Sequence, residues 1–229
     1  MVLAVRKYRF RVIGIVVIVF IALIGTIDLG PTKVVSLQLD QAMLDKVESK
    51  YGMVVRQRFV KWQKLMQAGK NDPEAEKLKQ VNDFFNQNIE FKDDLIVWLK
   101  NDYWATPIEV LVKGSGDCED LAIAKYFTLV EMGVDENKLR ITYVNALTFK
   151  QAHMVLTYFE SQRVVPLVLD NLMPTITPAT DRNDLLPVYS FNGRGLWLAK
   201  IKSNGQQFGN ADSLNQWVDL KQRMLEKAF

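Results

Sequence analysis

The chain has 229 residues, of which 48% are hydrophobic and 24% are charged, and its formal net charge is +3. This length fits one domain of ordinary size with short appendages, and the composition excludes a globally disordered chain.

The N-terminus has the pattern of an export signal. A basic cluster within residues 6–11 precedes the uncharged run 12–27, which Asp28 ends. The run is shorter than the roughly 18–20 residues that a membrane span needs. Because no pair of small residues marks a clear cleavage site, an uncleaved membrane anchor is the alternative, and a buried core segment is a third. We predict a signal peptide or anchor over residues 1–28 and a domain outside the cytoplasm over residues 29–229.

Export changes the charge that matters for partners. Removing residues 1–28 takes four cations and one carboxylate from a chain of net charge +3, which leaves a neutral domain. A nucleic-acid partner therefore has no electrostatic support, and membrane contact is expected only through the N-terminal segment. An exported chain with one cysteine has no internal disulfide, and its unpaired thiol predicts intermolecular pairing or reactivity.

The first half of the exported domain is predicted to be helical. The amphipathic segment 38–50 is followed by segment 53–68, which ends at Gly69, and Pro73 opens a third segment with helical spacing. The segment 92–100 is either helix or loop.

The only cysteine follows a glycine-rich approach. Residues 114–116 lead to Cys118, the first residue of the apolar segment 118–132. This segment predicts a buried helix with Asp117 as its N-cap and Gly133 as its C-cap. The simplest alternative is that Cys118 is a small buried hydrophobic residue.

The second half is rich in β-branched and aromatic residues. This composition predicts strands over 139–149, 153–160, 163–170 and 195–201, and an amphipathic helix that Ser213 caps. Helices that precede strands predict an α+β domain with an antiparallel sheet.

Strand pairing places the only histidine near an aspartate. If a two-residue turn joins strands 153–160 and 163–170, paired positions have numbers that sum to 323, and His153 lies opposite Asp170. Opposite Cβ atoms are about 4.5–5.5 Å apart. A slip of one residue would break this pairing. A structural role for the histidine is the alternative.

The three side chains have a chemical use together. A carboxylate that accepts from one imidazole nitrogen fixes the tautomer, and the other nitrogen can then take the proton from Cys118. A helix N-terminus lowers the pKa of a thiol and offers N–H groups to an oxyanion. Trp104 could add its indole N–H to that oxyanion site, or simply pack in the core.

Carboxylates crowd the thiol. Asp117, Glu119 and Asp120 surround Cys118 in sequence, and their charges would raise its pKa and repel a thiolate. A bound cation would cancel this charge, and oxygen ligands favour Ca²⁺ over a transition metal. Capping of the helix and its dipole is the simpler explanation of the cluster.

Four motifs carry a resemblance to a known family. They are Trp104-Ala105-Thr106-Pro107, Gly116-Asp117-Cys118-Glu119-Asp120, Ala152-His153-Met154-Val155-Leu156 and Leu169-Asp170-Asn171. With these motifs in this order, the chain resembles the bacterial transglutaminase-like cysteine proteinases over roughly residues 35–225. The resemblance implies a papain-like transglutaminase fold, in which the catalytic cysteine at a helix N-terminus packs on an antiparallel sheet.

The resemblance also implies roles for residues. Cys118 would be the nucleophile, His153 the base and Asp170 the group that orients the base. Family members require calcium near the nucleophile, and the residues that match that site are Asp117, Glu119, Asp120 and, on the following loop, Asn137.

The activity implied is limited proteolysis of the N-terminal region of a large surface adhesin at a paired-alanine site. This cleavage releases the adhesin and promotes biofilm dispersal. An inner-membrane receptor that senses cyclic di-GMP in the cytoplasm holds family members inactive. Two other functions stay open from the residues alone: a transglutaminase or amidase that uses the same thioester chemistry, and a non-catalytic periplasmic binding module.

Overall fold

The computed structural model describes residues 39–161, 163–200 and 203–226. The predicted signal peptide or anchor over residues 1–28 lies outside them. Within the described ranges, no helix combines the length and the apolar character that crossing a membrane requires.

Helices fill the first half of the described chain and strands the second. The helices are α1 Gln41–Tyr51, α2 Met53–Ala68, α3 Glu74–Asn88, α4 Asp94–Val97, α5 Pro107–Lys113, α6 Cys118–Glu131 and α7 Asn215–Leu225. The strands are β1 Glu90–Phe91, β2 Ser115–Gly116, β3 Leu139–Ala146, β4 Gln151–Tyr158, β5 Leu167–Leu169, β6 Thr177–Pro178, β7 Leu185–Asn192, β8 Gly195–Lys200 and β9 Ser203–Gly209. The predicted α+β class is confirmed.

Helix α6 is the centre of the core. Almost every residue from Asp120 to Leu129 is buried, because the helix packs against α3 and α5 on one side and against β4 on the other. The predicted helix over 118–132 is therefore confirmed. Gly133 follows it with a positive φ of 85°, a conformation that glycine adopts at little cost.

Helix α5 begins in a capping box that the sequence reading did not identify. The backbone N–H of Glu109 donates to the Thr106 hydroxyl, and the backbone N–H of Thr106 donates to the Glu109 carboxylate. Pro107, at the first helical position, has no N–H to leave unpaired. The box fixes the chain immediately after Trp104 and Ala105, and this places Ala105 for a contact in the site described below.

The described strands from β3 onward form one antiparallel sheet of seven strands, in the order β6-β5-β4-β3-β7-β8-β9. Strands β1 and β2 form a separate parallel pair beside the start of α6. Strand β4, in the interior of the main sheet, packs against α6. The start of β4 lies at the N-terminal end of that helix. This arrangement brings residues far apart in sequence to one place.

The predicted register of the β4–β5 hairpin is wrong by two residues. The observed pairs Leu156↔Leu169, Thr157↔Val168 and Tyr158↔Leu167 have numbers that sum to 325 rather than 323. The turn is longer than predicted because β4 ends at Tyr158 and β5 begins only after Pro166, which has no N–H for the ladder.

A shift of two residues keeps every side chain on its own face of the sheet. His153 and Asp170 thus become diagonal neighbours instead of opposite ones, at a separation that an imidazole ring can cover.

The last helix also starts later than predicted. Helix α7 begins at Asn215 with Leu214 at the N-cap, whereas Ser213 belongs to a short 3-10 turn and donates its hydroxyl to the carbonyl of Asn210. The helix still buries one face, through Trp217, Leu220 and Met224.

Candidate active site

His153 and Asp170 form a buried hydrogen-bonded pair. The His153 Nε2 and Asp170 Oδ1 atoms are 2.7 Å apart, and both side chains are almost wholly buried. The backbone N–H of Leu172 donates to the same oxygen at 3.1 Å, and the Arg182 guanidinium donates to the other oxygen at 2.7 Å.

These contacts determine the charge of the pair. Burial by itself raises the pKa of Asp170, but the hydrogen bonds and charges of His153 and Arg182 outweigh it and lower the pKa to about 2. The Asp170 carboxylate is therefore ionised at neutral pH and accepts the Nε2–H of His153. The imidazole is left with Nδ1 as its free basic nitrogen.

Cys118 is the first residue of α6 and lies beside the start of β4. The backbone N–H of Met154, the residue after His153, is near enough to the thiol to lower its pKa. The thiol also donates to Glu119 Oε2, with 3.0 Å between sulfur and oxygen. The structure thus brings the three predicted catalytic residues to one site, from a helix and two adjacent strands.

The thiol lies in a field that disfavours its ionisation. Burial raises the pKa of Cys118 well above its usual value, and the charges of Glu119 and Asp117 raise it further, whereas the Met154 N–H lowers it. A nucleophilic thiolate needs an opposing influence, and a cation held by these carboxylates would provide it.

The acidic cluster is larger than the sequence prediction. Carboxylate oxygens of Asp94, Asp117 and Asp120 lie within 4.8 Å of one another, and so do those of Asp94, Asp102 and Glu119. Asp94 and Asp102 were not predicted as members. Their only sequence signal is the acidic segment around α4, which comes more than fifteen residues before Cys118.

The cluster fits a divalent cation on two grounds. Asp94 Oδ1 and Asp117 Oδ1 are buried with no hydrogen-bond partner among the described residues. Burial, followed by the charge of Glu119 and its other neighbours, raises the pKa of Asp117 to about 10, and burial raises that of Asp94 to about 6. Hard oxygen donors without protein partners are the ligand set that Ca²⁺ prefers.

Asp120 is fixed by the elements around it. Its Oδ1 accepts the backbone N–H of Ala105 at 2.7 Å, and its Oδ2 accepts the indole N–H of Trp98 at 3.3 Å. Gly116 approaches so closely that a Cβ there would lie 2.6 Å from Asp120 Oδ2. The predicted motifs around Trp104 and Gly116 therefore meet at this carboxylate.

Three further predictions look different in the structure. Asp117 occupies the N-cap position of α6, but its side chain makes no capping hydrogen bond. Asn137 is not brought to the cluster: it follows the C-terminal end of α6, roughly 20 Å of helix away, and its amide donates to Asp135. Trp104 is buried and stacks on Phe191 with 5.3 Å between ring centroids, so its packing role is seen and its oxyanion role stays a prediction.

Comparison with known proteins agrees with this geometry. Residues 57–193 match the family described as bacterial transglutaminase-like cysteine proteinase BTLCP. The chain belongs to this family, and it is a cysteine protease of the transglutaminase-like class.

The solved structures of Legionella pneumophila LapG are similar to the chain at 44% identity. Each of the three structures covers 81% of this chain. In turn, the chain covers 98% of LapG (TM-score 0.71), 98% of the EGTA-treated form (TM-score 0.72) and 99% of the calcium-bound form (TM-score 0.70). No match was found among curated proteins.

Acid should remove the stability that ionised Asp170 contributes. Because the folded pKa of about 2 lies below the usual 3.8, this contribution is present above about pH 4 and is lost as pH falls through 2. The loss amounts to about 2 kcal/mol in the free energy of unfolding. Urea titrations at pH 6 and pH 2.5 should therefore show that the difference between the wild type and Asp170→Asn shrinks by that amount. A difference that is unchanged between the two pH values would contradict the low pKa.

Proposed function

We propose that this protein is a calcium-dependent periplasmic endopeptidase that cuts the N-terminal region of a large surface adhesin at a pair of alanines. The cleavage releases the adhesin from the cell and promotes biofilm dispersal. The observation that supports the proposal most is the meeting of Cys118 with the His153–Asp170 pair in a chain whose fold is shared with LapG.

The side chains support a thioester mechanism. His153 Nδ1 takes the proton of Cys118, and the sulfur attacks the scissile carbonyl carbon. The resulting oxyanion lies at the N-terminus of α6, where backbone N–H groups are free to donate. His153 then gives the proton to the leaving amine, and in the second half of the reaction it activates the water that hydrolyses the thioester. Throughout, Asp170 stabilises the imidazolium.

The acidic cluster supports the calcium dependence. Asp94, Asp117, Glu119 and Asp120 would hold the ion, with Asp102 at the edge of the cluster. When bound, Ca²⁺ supplies positive charge that offsets the carboxylates beside the thiol. Asp117 and Glu119 flank the nucleophile directly, so an ion held by both would also fix the first turn of α6.

A macromolecular partner fits the surface beside this cluster. Helix α4 and the residues after it run between Asp94 and Asp102 and expose Leu95, Ile96 and Leu99, of which Leu99 is 84% accessible. Exposed apolar side chains that lie together mark protein contacts more often than small-molecule sites. The adhesin substrate and an inner-membrane receptor for cyclic di-GMP that holds the enzyme inactive are the partners we propose for the protein.

The function is tested with a purified adhesin fragment that carries one Ala-Ala pair near its N-terminus. We expect two products in the presence of Ca²⁺, with the new N-terminus between the two alanines by mass spectrometry. A fragment in which both alanines are replaced by aspartate is the matched control and should remain intact. An uncut wild-type fragment, or amide cross-links in place of new termini, would contradict the proposal. Addition of the periplasmic domain of the receptor should stop the cleavage.

A further inference from the structure

Behind the catalytic pair lies an arginine to which the reaction assigns no role. Arg182 is 3% exposed and follows a short 3-10 turn, Ala179–Asp181, after β6. Its Nη2 donates to Asp170 Oδ2 at 2.7 Å and to Asp184 Oδ2 at 2.8 Å, and its Nε donates to Asp184 Oδ1 at 2.9 Å. A buried arginine that joins two carboxylates in this way is held in one position.

Arg182 completes the coordination of the Asp170 carboxylate. Oδ1 accepts from His153 and from the backbone of Leu172, so these two donors occupy one oxygen. Among the described residues, Oδ2 accepts its hydrogen bond from Arg182. Without the guanidinium, Oδ2 would be a buried oxygen lacking a partner, which a carboxylate relieves by rotating or by binding a proton.

We propose that Arg182, held in place by Asp184, is a positioning residue of this protease: it keeps the Asp170 carboxylate ionised and oriented so that His153 presents Nδ1 to Cys118. The proposal rests on the catalytic triad of the proposed function. It goes beyond that triad because it gives Arg182 and Asp184 a role in positioning the base.

The chemical reason is the histidine tautomer. An ionised carboxylate can only accept a hydrogen bond, so it holds the proton on Nε2 and leaves Nδ1 free as the base. A protonated carboxylic acid can donate to Nε2 instead, which moves the ring proton to Nδ1 and removes the base from the side that faces the thiol. Arg182 therefore protects the productive tautomer by holding Oδ2 of the ionised Asp170 carboxylate, which keeps Oδ1 directed at Nε2.

Asp184 has a separate task in the same network. A guanidinium that contacted Asp170 alone would cancel the negative charge that stabilises the imidazolium. Because Arg182 is shared between Asp170 and Asp184, the three groups together keep one net negative charge beside His153. The basic side chain of Lys125, on α6, also interacts electrostatically with Asp170. The additional negative charge of Asp184 therefore helps to keep the surroundings of His153 negative.

The backbone around Arg182 is anchored at both sides. The N–H of Ala179 donates to the carbonyl of Pro166 at 2.8 Å, next to β5. The N–H of Leu147, after β3, donates to the carbonyl of Asp184 at 2.8 Å. The segment that carries Arg182 is thus tied to the strands that flank the catalytic pair, as a positioning residue requires.

The kinetic test compares three arginine variants with the wild type on the adhesin fragment with Ca²⁺ present. We expect Arg182→Met to lower kcat by about 10²-fold with KM unchanged, because only the base is affected. Arg182→Lys keeps a cation that can reach one carboxylate and should recover about tenfold of this loss. Arg194→Met is the matched control, since Arg194 pairs with Glu136 at the far end of α6 and should keep the wild-type kcat.

A spectroscopic test does not depend on the substrate. His153 is the only histidine of the chain, so ¹⁵N spectra of histidine-labelled protein report this one ring without assignment. Above pH 8 we expect the Nε2–H tautomer in the wild type and in Arg194→Met, and an added Nδ1–H population in Arg182→Met, because the Asp170 carboxylate is then free to rotate away from Nε2. If the wild type shows this signature but does not cut the adhesin fragment, the proposed substrate is wrong and the positioning role stands.

The proposal is overturned if folded Arg182→Met keeps a kcat within about twofold of the wild type and the same tautomer. If Arg182→Met does not fold, Arg182→Lys and Asp184→Asn decide. Asp184→Asn keeps the acceptor for Nε but removes a charge, and it should lower kcat by about three- to tenfold at constant KM. Wild-type kcat and tautomer in both of these variants would equally overturn it.

Discussion

Replacement of Cys118 by alanine is expected to abolish proteolysis and leave the fold intact. The chain has no second cysteine that could act in its place, and the loss of a nucleophile costs an enzyme of this kind about 10⁴-fold or more in kcat/KM. Alanine suits the first turn of a helix, and the side chain lost is a small, partly buried one, so the free energy of unfolding should change by about 1 kcal/mol or less.

The measurement is cleavage of the adhesin fragment beside a thermal melt of each protein. Cys118→Ser is the matched control for size and polarity, and it should be as inactive as Cys118→Ala because a serine hydroxyl is not ionised by this base. Iodoacetamide should label the wild type once and the alanine variant not at all. Cleavage by Cys118→Ala at the wild-type rate would exclude the thiol mechanism.

Local patterns predicted the longer helices, whereas α5 was not predicted and the α4 segment was left open between helix and loop. Helix α2 has the predicted bounds, and α6 ends within one residue of its prediction, because apolar spacing and flanking glycines act within one turn of the chain. Strands β7 and β9 were not predicted. Strand β7 contains Pro187 within its apolar run, and a proline inside such a run argues against a strand.

In the β4–β5 hairpin, the alternation of side chains predicts which face of the sheet a residue occupies but not which residues are paired. The sequence correctly placed His153 and Asp170 on the same face, since side chains alternate along any strand. It could not give the register, because the register depends on where β4 stops, and eight residues separate Tyr158 at the end of β4 from Leu167 at the start of β5. The predicted contact between His153 and Asp170 survives the error because the imidazole reaches a diagonal neighbour as well as an opposite one.

The site residues that escaped prediction are all remote in sequence. Asp94 and Asp102 join the cluster only because the α4 segment folds over the start of α6, where Trp98 donates to Asp120. Arg182 reaches Asp170 across β6 and a 3-10 turn. No spacing rule connects such positions, so tertiary structure was needed to find them.

Removal of calcium is expected to abolish cleavage and to destabilise the protein. Without a cation, burial and the charge of Glu119 raise the pKa of the Cys118 thiol, so the nucleophile is held in its unreactive form. We expect exhaustive treatment with EGTA to lower kcat/KM by at least about 10²-fold, and Ca²⁺ to restore it better than Mg²⁺, which demands a stricter octahedral geometry. The melting temperature should rise with Ca²⁺ concentration, since the ion binds only the folded chain.

Variants separate the cluster from general charge effects. Asp94→Asn removes a ligand that is not adjacent to Cys118 in sequence and should raise the Ca²⁺ concentration needed for half-maximal activity by about 10- to 100-fold. Asp45→Asn is the matched control, because Asp45 is an exposed carboxylate on α1 and should leave that concentration unchanged. Full activity of the wild type after EGTA would discard the calcium site.

Calcium affinity should also depend on pH in a defined direction. Burial and repulsion between neighbouring carboxylates raise the pKa of Asp117 to about 10 and that of Asp94 to about 6, so at pH 7.5 Asp117 holds a proton that a cation must displace and Asp94 is largely ionised. Affinity should therefore weaken as pH falls, by about tenfold per pH unit for each proton released. Calorimetry in two buffers of different ionisation enthalpy at pH 7.5 should detect this proton, and Asp117→Asn should remove it. If binding releases no proton at pH 7.5, Asp117 is already ionised before the ion arrives, and its raised pKa is contradicted.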